Sequence, residues 1–108
     1  MQNGAKFGAI DIGSNALRFA YTNDKRGLRG SEKIRIPLRL GRDVFRSGRI
    51  ERLNFEYGSF VFQDLAKLIE HQQVEELTVY ATSALRDAEN AGDFIREIHQ
   101  KSGLKIDV

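Results

Sequence analysis

A carboxylate, a glycine and two small polar residues stand together in Asp11-Ile12-Gly13-Ser14-Asn15, between two apolar runs. Residue types in this order can build a phosphate-binding turn. Glycine adopts a positive φ at no steric cost, and in that conformation successive backbone N–H groups point inward around an anion. Ser14 and Asn15 add side-chain donors. Asp11 would repel a phosphate, so its place is as a ligand, direct or through water, of a hard cation such as Mg²⁺. The same residue types also favour a plain β-hairpin turn for conformational reasons alone. These five residues by themselves leave both readings open.

The flanking sequence supplies the elements that would position the turn. Lys6 to Ile10 reads as a short buried strand entering it, and Ala16 to Thr22 as the return arm of a hairpin. A polar turn follows at Asn23-Asp24-Lys25-Arg26-Gly27. Lys33 to Leu40 then alternates, with Ile34, Ile36, Leu38 and Leu40 on one side. Pro37 cannot donate a ladder hydrogen bond and puts this third strand at a sheet edge. Gly41 to Ile50 has two glycines and no clear period, and reads as a loop. From Asn54 to Gln72 the period turns helical, with Tyr57, Val61, Leu65, Leu68 and Ile69 as the buried stripe, Phe62 widening it and Phe60 as an aromatic outlier placed to cover a neighbouring element or a partner. Leu77 to Ala81 is a fourth strand. Asn90, with Asp93 three residues on, is the expected N-cap of a helix carrying Phe94, Ile95 and Ile98 inward, and Gly103 its C-terminal stop. Leu104 to Val108 alternates as a fifth strand.

The order β-β-β-α-β-α-β implies a single α/β unit over residues 1–108. A three-stranded antiparallel meander is extended by parallel strands on the other side of the first, giving a five-stranded mixed sheet of order 3-2-1-4-5. Ligands of open α/β sheets collect at the carboxyl ends of the strands, beside the point where strand order reverses. Here that point lies between the first and fourth strands, so Asp11 to Asn15 and Thr82-Ser83 should meet at one crevice.

Charge narrows the ligand. The 108 residues carry a net charge of only +2, but residues 25–52 hold ten Lys or Arg against three acids, whereas residues 53–108 balance at −5. A basic segment near a phosphate-binding turn suggests an anionic partner, although any one arginine can equally be a solvated edge residue. Nucleic acid is not expected, since these arginines are not interleaved with stacking aromatics. There is no cysteine, which excludes disulfide scaffolding and thiolate catalysis and fits a reducing, cytoplasmic setting. His71 and His99, both late in helices, are better explained by the helix carboxyl ends than by a metal. No apolar run is long enough for a membrane span, and none is expected.

Three stretches then carry a resemblance. Ala9-Ile10-Asp11-Ile12-Gly13-Ser14-Asn15, Arg39-Leu40-Gly41 and Ala81-Thr82-Ser83-Ala84-Leu85-Arg86-Asp87-Ala88-Glu89-Asn90 resemble the exopolyphosphatase and guanosine-pentaphosphate phosphatase family of the actin-like ATPase superfamily. The first is shared in outline across the superfamily, and the third is far more specific.

The resemblance implies a ribonuclease-H-like half domain, the amino-terminal lobe of a two-lobed phosphatase, often a homodimer. Such an enzyme releases terminal phosphate from polyphosphate or converts pppGpp to ppGpp with Mg²⁺. It further implies Asp11 as the Mg²⁺-handling carboxylate, Gly13, Ser14 and Asn15 as the first phosphate loop, Ser83 beside that loop, and Arg86 as the phosphate-binding arginine. A fixed guanidinium stabilises charge that develops as the phosphoryl group leaves, and its planar fork reaches two oxygens at once.

Two departures accompany the match: Ala16 stands where the family usually has a hydroxyl residue, and Arg42 and Arg46 where acidic or small residues are common. The second favours a long polyanion over a nucleotide. The family's water-positioning glutamate falls beyond the fifth strand, and its second phosphate loop later still. Neither lies within these 108 residues, and little turnover is expected from them alone. Other readings are a polyphosphate- or alarmone-binding module that does not cleave, and a small-molecule kinase of the same superfamily.

Overall fold

A computed structural model describes residues 6–23 and 32–108. The turn expected after Asn23, with Lys25, Arg26 and Arg29 of the basic segment, lies outside the described residues. The elements are β1 (Lys6–Ile12), β2 (Leu17–Thr22), β3 (Glu32–Ile36), α1 (Leu40–Ser47), α2 (Arg52–His71), β4 (Val74–Ala81), α3 (Ser83–Asp87) and α4 (Ala91–Ser102).

The sheet runs β3-β2-β1-β4. β1 pairs antiparallel with β2 from Phe7↔Thr22 to Ile12↔Leu17, β2 pairs antiparallel with β3, and β1 pairs parallel with β4. The meander, the edge position of β3 and the reversal point between β1 and β4 are therefore as the sequence implies. β3 is shorter than the alternation suggests because Pro37, with no N–H and a fixed φ, ends the ladder after Ile36. Leu38 and Leu40, beyond that break, still reach full burial.

The fifth strand is not formed as such. Asp107 makes a single parallel bridge to Tyr80, its N–H donating to Val79 O at 2.9 Å and its carbonyl accepting from Ala81 N–H at 3.0 Å. Residues 102–104 are held instead in the helix exit: Gly103 is left-handed at φ 79° and closes α4 as expected. Leu104 N–H then bonds Ser102 Oγ at 3.1 Å.

Strand alternation sorts the two faces of the sheet. Ile10, Ile12, Leu17, Phe19, Val79 and Ala81 point to the helical layer and are buried with Phe62, Leu65, Phe94 and Ile98. Each such aromatic or aliphatic residue contributes about 1.5–3 kcal/mol through the apolar area removed from water. Within that layer Phe55 and Phe94 meet edge to face, with centroids 5.3 Å apart.

α2 buries the expected stripe from Val61 on, with Phe62 and Leu65 buried and Leu68 and Ile69 packed against the core, but not Tyr57. A Cβ on Gly58 would sit 2.7 Å from Phe94 Cζ, so the bare glycine admits the ring. The buried face passes through Gly58, Val61, Phe62 and Leu65, and Tyr57 is left 44% exposed. Phe60 is exposed, as its position off the stripe suggests, and so is Leu53.

The segment read as a loop, Gly41 to Ile50, is largely helix α1. Leu40 and Val44, four apart, face inward, and Gly48 at φ 78° stops the helix by donating its N–H to Val44 O at 2.8 Å. Two turns are too short to display a full helical period.

Candidate phosphate-loop site

β1 delivers the loop 13–16 at its carboxyl end, and the loop is a tight hairpin connection closed by Gly13 N–H donating to Ala16 O at 3.0 Å. Gly13 is not left-handed: the only positive-φ glycines among the described residues are Gly48 and Gly103. The inward-turned nest expected from a left-handed Gly13 is thus replaced by a hairpin loop whose first N–H is already used. Buried Ala16 anchors the far side, while Ser14 and Asn15 project at the tip. Their hydroxyl, amide and backbone N–H groups make no hydrogen bond among the described residues.

Two further segments close on this loop. Gly41 N–H donates to Ser14 O at 2.9 Å, and a Cβ on Gly41 would lie 2.8 Å from Ser14 Cβ. The start of α1 is therefore seated on the loop at a distance that only glycine permits. From β4, Thr82 donates both its N–H, at 3.1 Å, and its Oγ1, at 3.2 Å, to Ile12 O. That double bond ties the start of α3 to the residue preceding Gly13. Buried Ala84 and Leu85 fix α3, leaving Ser83 and Arg86 exposed. Arg86 forms no ion pair with Asp87, Glu89 or any other described residue, and Glu89 lies instead 4.0 Å from Arg49.

Asp11 sits on the other face of the sheet. It is cross-strand from Arg18 and beside Tyr80 of β4, in a groove of about 480 Å³ whose rim includes Lys33 and Arg35. Its Oδ1 is buried and has no hydrogen-bond partner. A buried carboxylate oxygen without a donor is the environment a cation, or a water bound to one, would complete, so the residue fits the Mg²⁺ role the sequence suggests. No cluster of three acidic or histidine side chains exists among the described residues.

The structure thus brings together Gly13, Ser14, Asn15 and Ser83, with Arg86 one turn further along α3. Asp11 lies two residues before the loop but on the opposite sheet face. The sequence reading missed Arg18, although a four-residue hairpin loop with Ile12 opposite Leu17 places Asp11 opposite Arg18 by counting alone. It also missed the structural part of Asn90. That side chain caps nothing on α4; Oδ1 accepts Ile50 N–H at 2.8 Å and Nδ2 donates to Ile50 O at 2.9 Å.

A mixed α/β sheet with the polar loop, the glycine contact and Arg86 at its carboxyl end is an architecture of the actin-like ATPase type. The chain belongs to the Ppx/GppA phosphatase family, whose model matches residues 28–108. It is 27% identical over 103 residues to exopolyphosphatase 1 of Mycobacterium tuberculosis, a match spanning 94% of this chain and 30% of that protein. Exopolyphosphatase 1 of Mycobacterium leprae is 25% identical over 105 residues, covering 95% of this chain and 31% of its own length.

The crystal structure of the Aquifex aeolicus Ppx/GppA family member superimposes with a TM-score of 0.86 at 29% identity, over 96% of this chain and 34% of that one. An exopolyphosphatase from Cytophaga hutchinsonii shares the fold at a TM-score of 0.82 and 18% identity. The chain spans about a third of the length of these relatives. Among the described residues no helix is long and apolar enough to cross a membrane.

Proposed function

We propose that this chain forms one wall of a cleft in which the terminal phosphoanhydride bond of inorganic polyphosphate is hydrolysed. The observation that carries the reading is the tie of Thr82 to Ile12 O, which sets the start of α3 against the strand end that leads into the Ser14-Asn15 loop. It leaves free donors and an unpaired guanidinium at the carboxyl ends of β1 and β4. The exopolyphosphatase relatives support polyphosphate as the substrate class.

In this reading Ser14 and Asn15 hold non-bridging oxygens of the terminal phosphate through N–H and side-chain donors. Arg86 places its fork on the oxygens that gain charge as the phosphoryl group leaves. Ser83, one turn before Arg86, adds a hydroxyl to the same side. Bound Mg²⁺, held from this lobe by Asp11, would neutralise charge on the phosphate chain. Activation of the attacking water falls to residues outside these 108, so the isolated chain binds without rapid turnover.

Arg39 and Arg42 flank Gly41 at the loop and make no ion pair among the described residues. Together they favour an extended polyanion over pppGpp, which remains the second substrate of this reading. The setting is cytoplasmic, and exposed Leu53 and Phe60 on α2 offer an apolar strip to a homodimer partner.

The test is phosphate release from long-chain polyphosphate and from pppGpp, with and without Mg²⁺, by the full product of the reading frame, its Arg86→Ala variant and the 108-residue chain. Release by the full product alone, lost in the variant and on Mg²⁺ removal, supports the hydrolase. Tight polyphosphate binding with no release from any of the three would overturn it in favour of a binding module.

A further inference from the structure

We propose that Asn90 is a positioning residue: its buried amide clasps the α1–α2 connection and thereby sets where α3 holds Arg86 relative to the Ser14-Asn15 tip. The inference rests on the phosphate-site reading above and adds to it the device that fixes the geometry. Asn90 is 9% exposed, and its single amide satisfies both the N–H and the carbonyl of Ile50, at 2.8 and 2.9 Å, across 40 residues of sequence. It occupies the N-cap position of α4 yet makes no capping hydrogen bond, so helix initiation does not explain the residue type. Only a carboxamide donates and accepts at this spacing; a carboxylate cannot donate and a serine hydroxyl is too short.

The clasp closes a frame. α1, eight residues and about 12 Å long, runs from Gly41 on Ser14 O to Gly48, whose carbonyl accepts Glu89 N–H at 2.8 Å. α3 runs alongside from Thr82 on Ile12 O to Ala88. The two helices pack on each other and are joined at one end through β1 and its loop, at the other through Glu89 and Asn90. α3 is only five residues long and cannot hold its own orientation by internal hydrogen bonds. Its C-terminal end, where Arg86 sits, is held by buried Ala88 and by this clasp. Opening the clasp frees that end while the Thr82 anchor stays in place.

The test uses the 108-residue chain, inorganic tripolyphosphate with Mg²⁺ as probe, and the Arg86 Nε–H resonance in ¹H–¹⁵N spectra. Asn90→Ala and Asn90→Asp, which sets a carboxylate oxygen against Ile50 O, are compared with Ile98→Val, which trims the core of α4 without touching the clasp. Both Asn90 variants are expected to shift the Arg86 resonance and to weaken tripolyphosphate binding tenfold or more. Ile98→Val, at a comparable loss in unfolding midpoint, should move binding less than twofold and leave Arg86 in place. Asn90 variants with wild-type affinity and an unshifted Arg86 resonance overturn the proposal. Should the wild-type chain bind no tripolyphosphate, the phosphate-site reading fails for this chain, while the Arg86 shift still decides the positioning role.

Discussion

The arginines divide into two groups by place in the fold. Along α1, α2 and α4, Arg46 lies 3.2 Å from Glu51, Arg52 lies 3.2 Å from Glu56, and Arg96 pairs with Asp93. At the carboxyl end of the sheet and on its open face, Arg18, Arg35, Arg39, Arg42 and Arg86 make no ion pair among the described residues. A helix surface supplies a carboxylate three or four residues away almost for free, and such exposed pairs contribute little. Cations left without a counter-ion beside a free-donor loop repel each other unless an anion arrives. The basic segment is therefore not one patch: Arg46, Arg49 and Arg52 each have a carboxylate partner, whereas Arg35, Arg39 and Arg42 make no ion pair among the described residues.

The sharpest way to separate the two regions is to disrupt the helical layer and the site independently. Phe94→Ala, removing a fully buried ring, should lower stability by about 3–5 kcal/mol, read as a shift in urea midpoint. Arg86→Ala should leave that midpoint within about 0.5 kcal/mol of the parent, because the guanidinium has no partner to lose. In the full product of the reading frame it should cut phosphate release by about 10²–10³-fold. A large stability loss in Arg86→Ala would mean that it belongs to the paired group after all.

Gly41→Ala tests the contact between α1 and the loop: a Cβ 2.8 Å from Ser14 Cβ must displace the tip. The expected cost is about 1–3 kcal/mol, with weaker tripolyphosphate binding by calorimetry. Arg52→Ala should do least, under about 0.5 kcal/mol for an exposed i,i+4 pair, with binding unchanged; a loss of affinity there would erase the distinction between the groups.

Much of this architecture is legible in local pattern. The alternation of Ile10 with Ile12 and of Leu17 with Phe19, the proline that limits β3, and the glycine that stops α4 each act within a few residues of themselves. The approach of Thr82–Ser83 to the end of β1 follows from element order alone, and the Thr82 bonds to Ile12 O realise it for the loop but not for Asp11, which lies on the other sheet face. Two of the differences come from contacts distant in sequence and one from a local bond. Tyr57 leaves the core because Phe94, 37 positions away in the chain, enters over Gly58. Asn90 looks like an N-cap and serves Ile50. Gly13 looks like a left-handed turn residue, but its N–H is claimed by Ala16 O.

Sequence alone therefore determined the four strands of the sheet though not the absence of a fifth, the long helix, the edge, and the residue types at the ends of β1 and β4, because periodicity and turn chemistry are short-range. Only the tertiary structure decided which donors remain free, which cations lack a partner and what holds Arg86 in place. Those properties depend on neighbours brought together from 27 to 70 residues apart, such as Gly41 on Ser14, Ile50 on Asn90 and Thr82 on Ile12, and no local pattern encodes them.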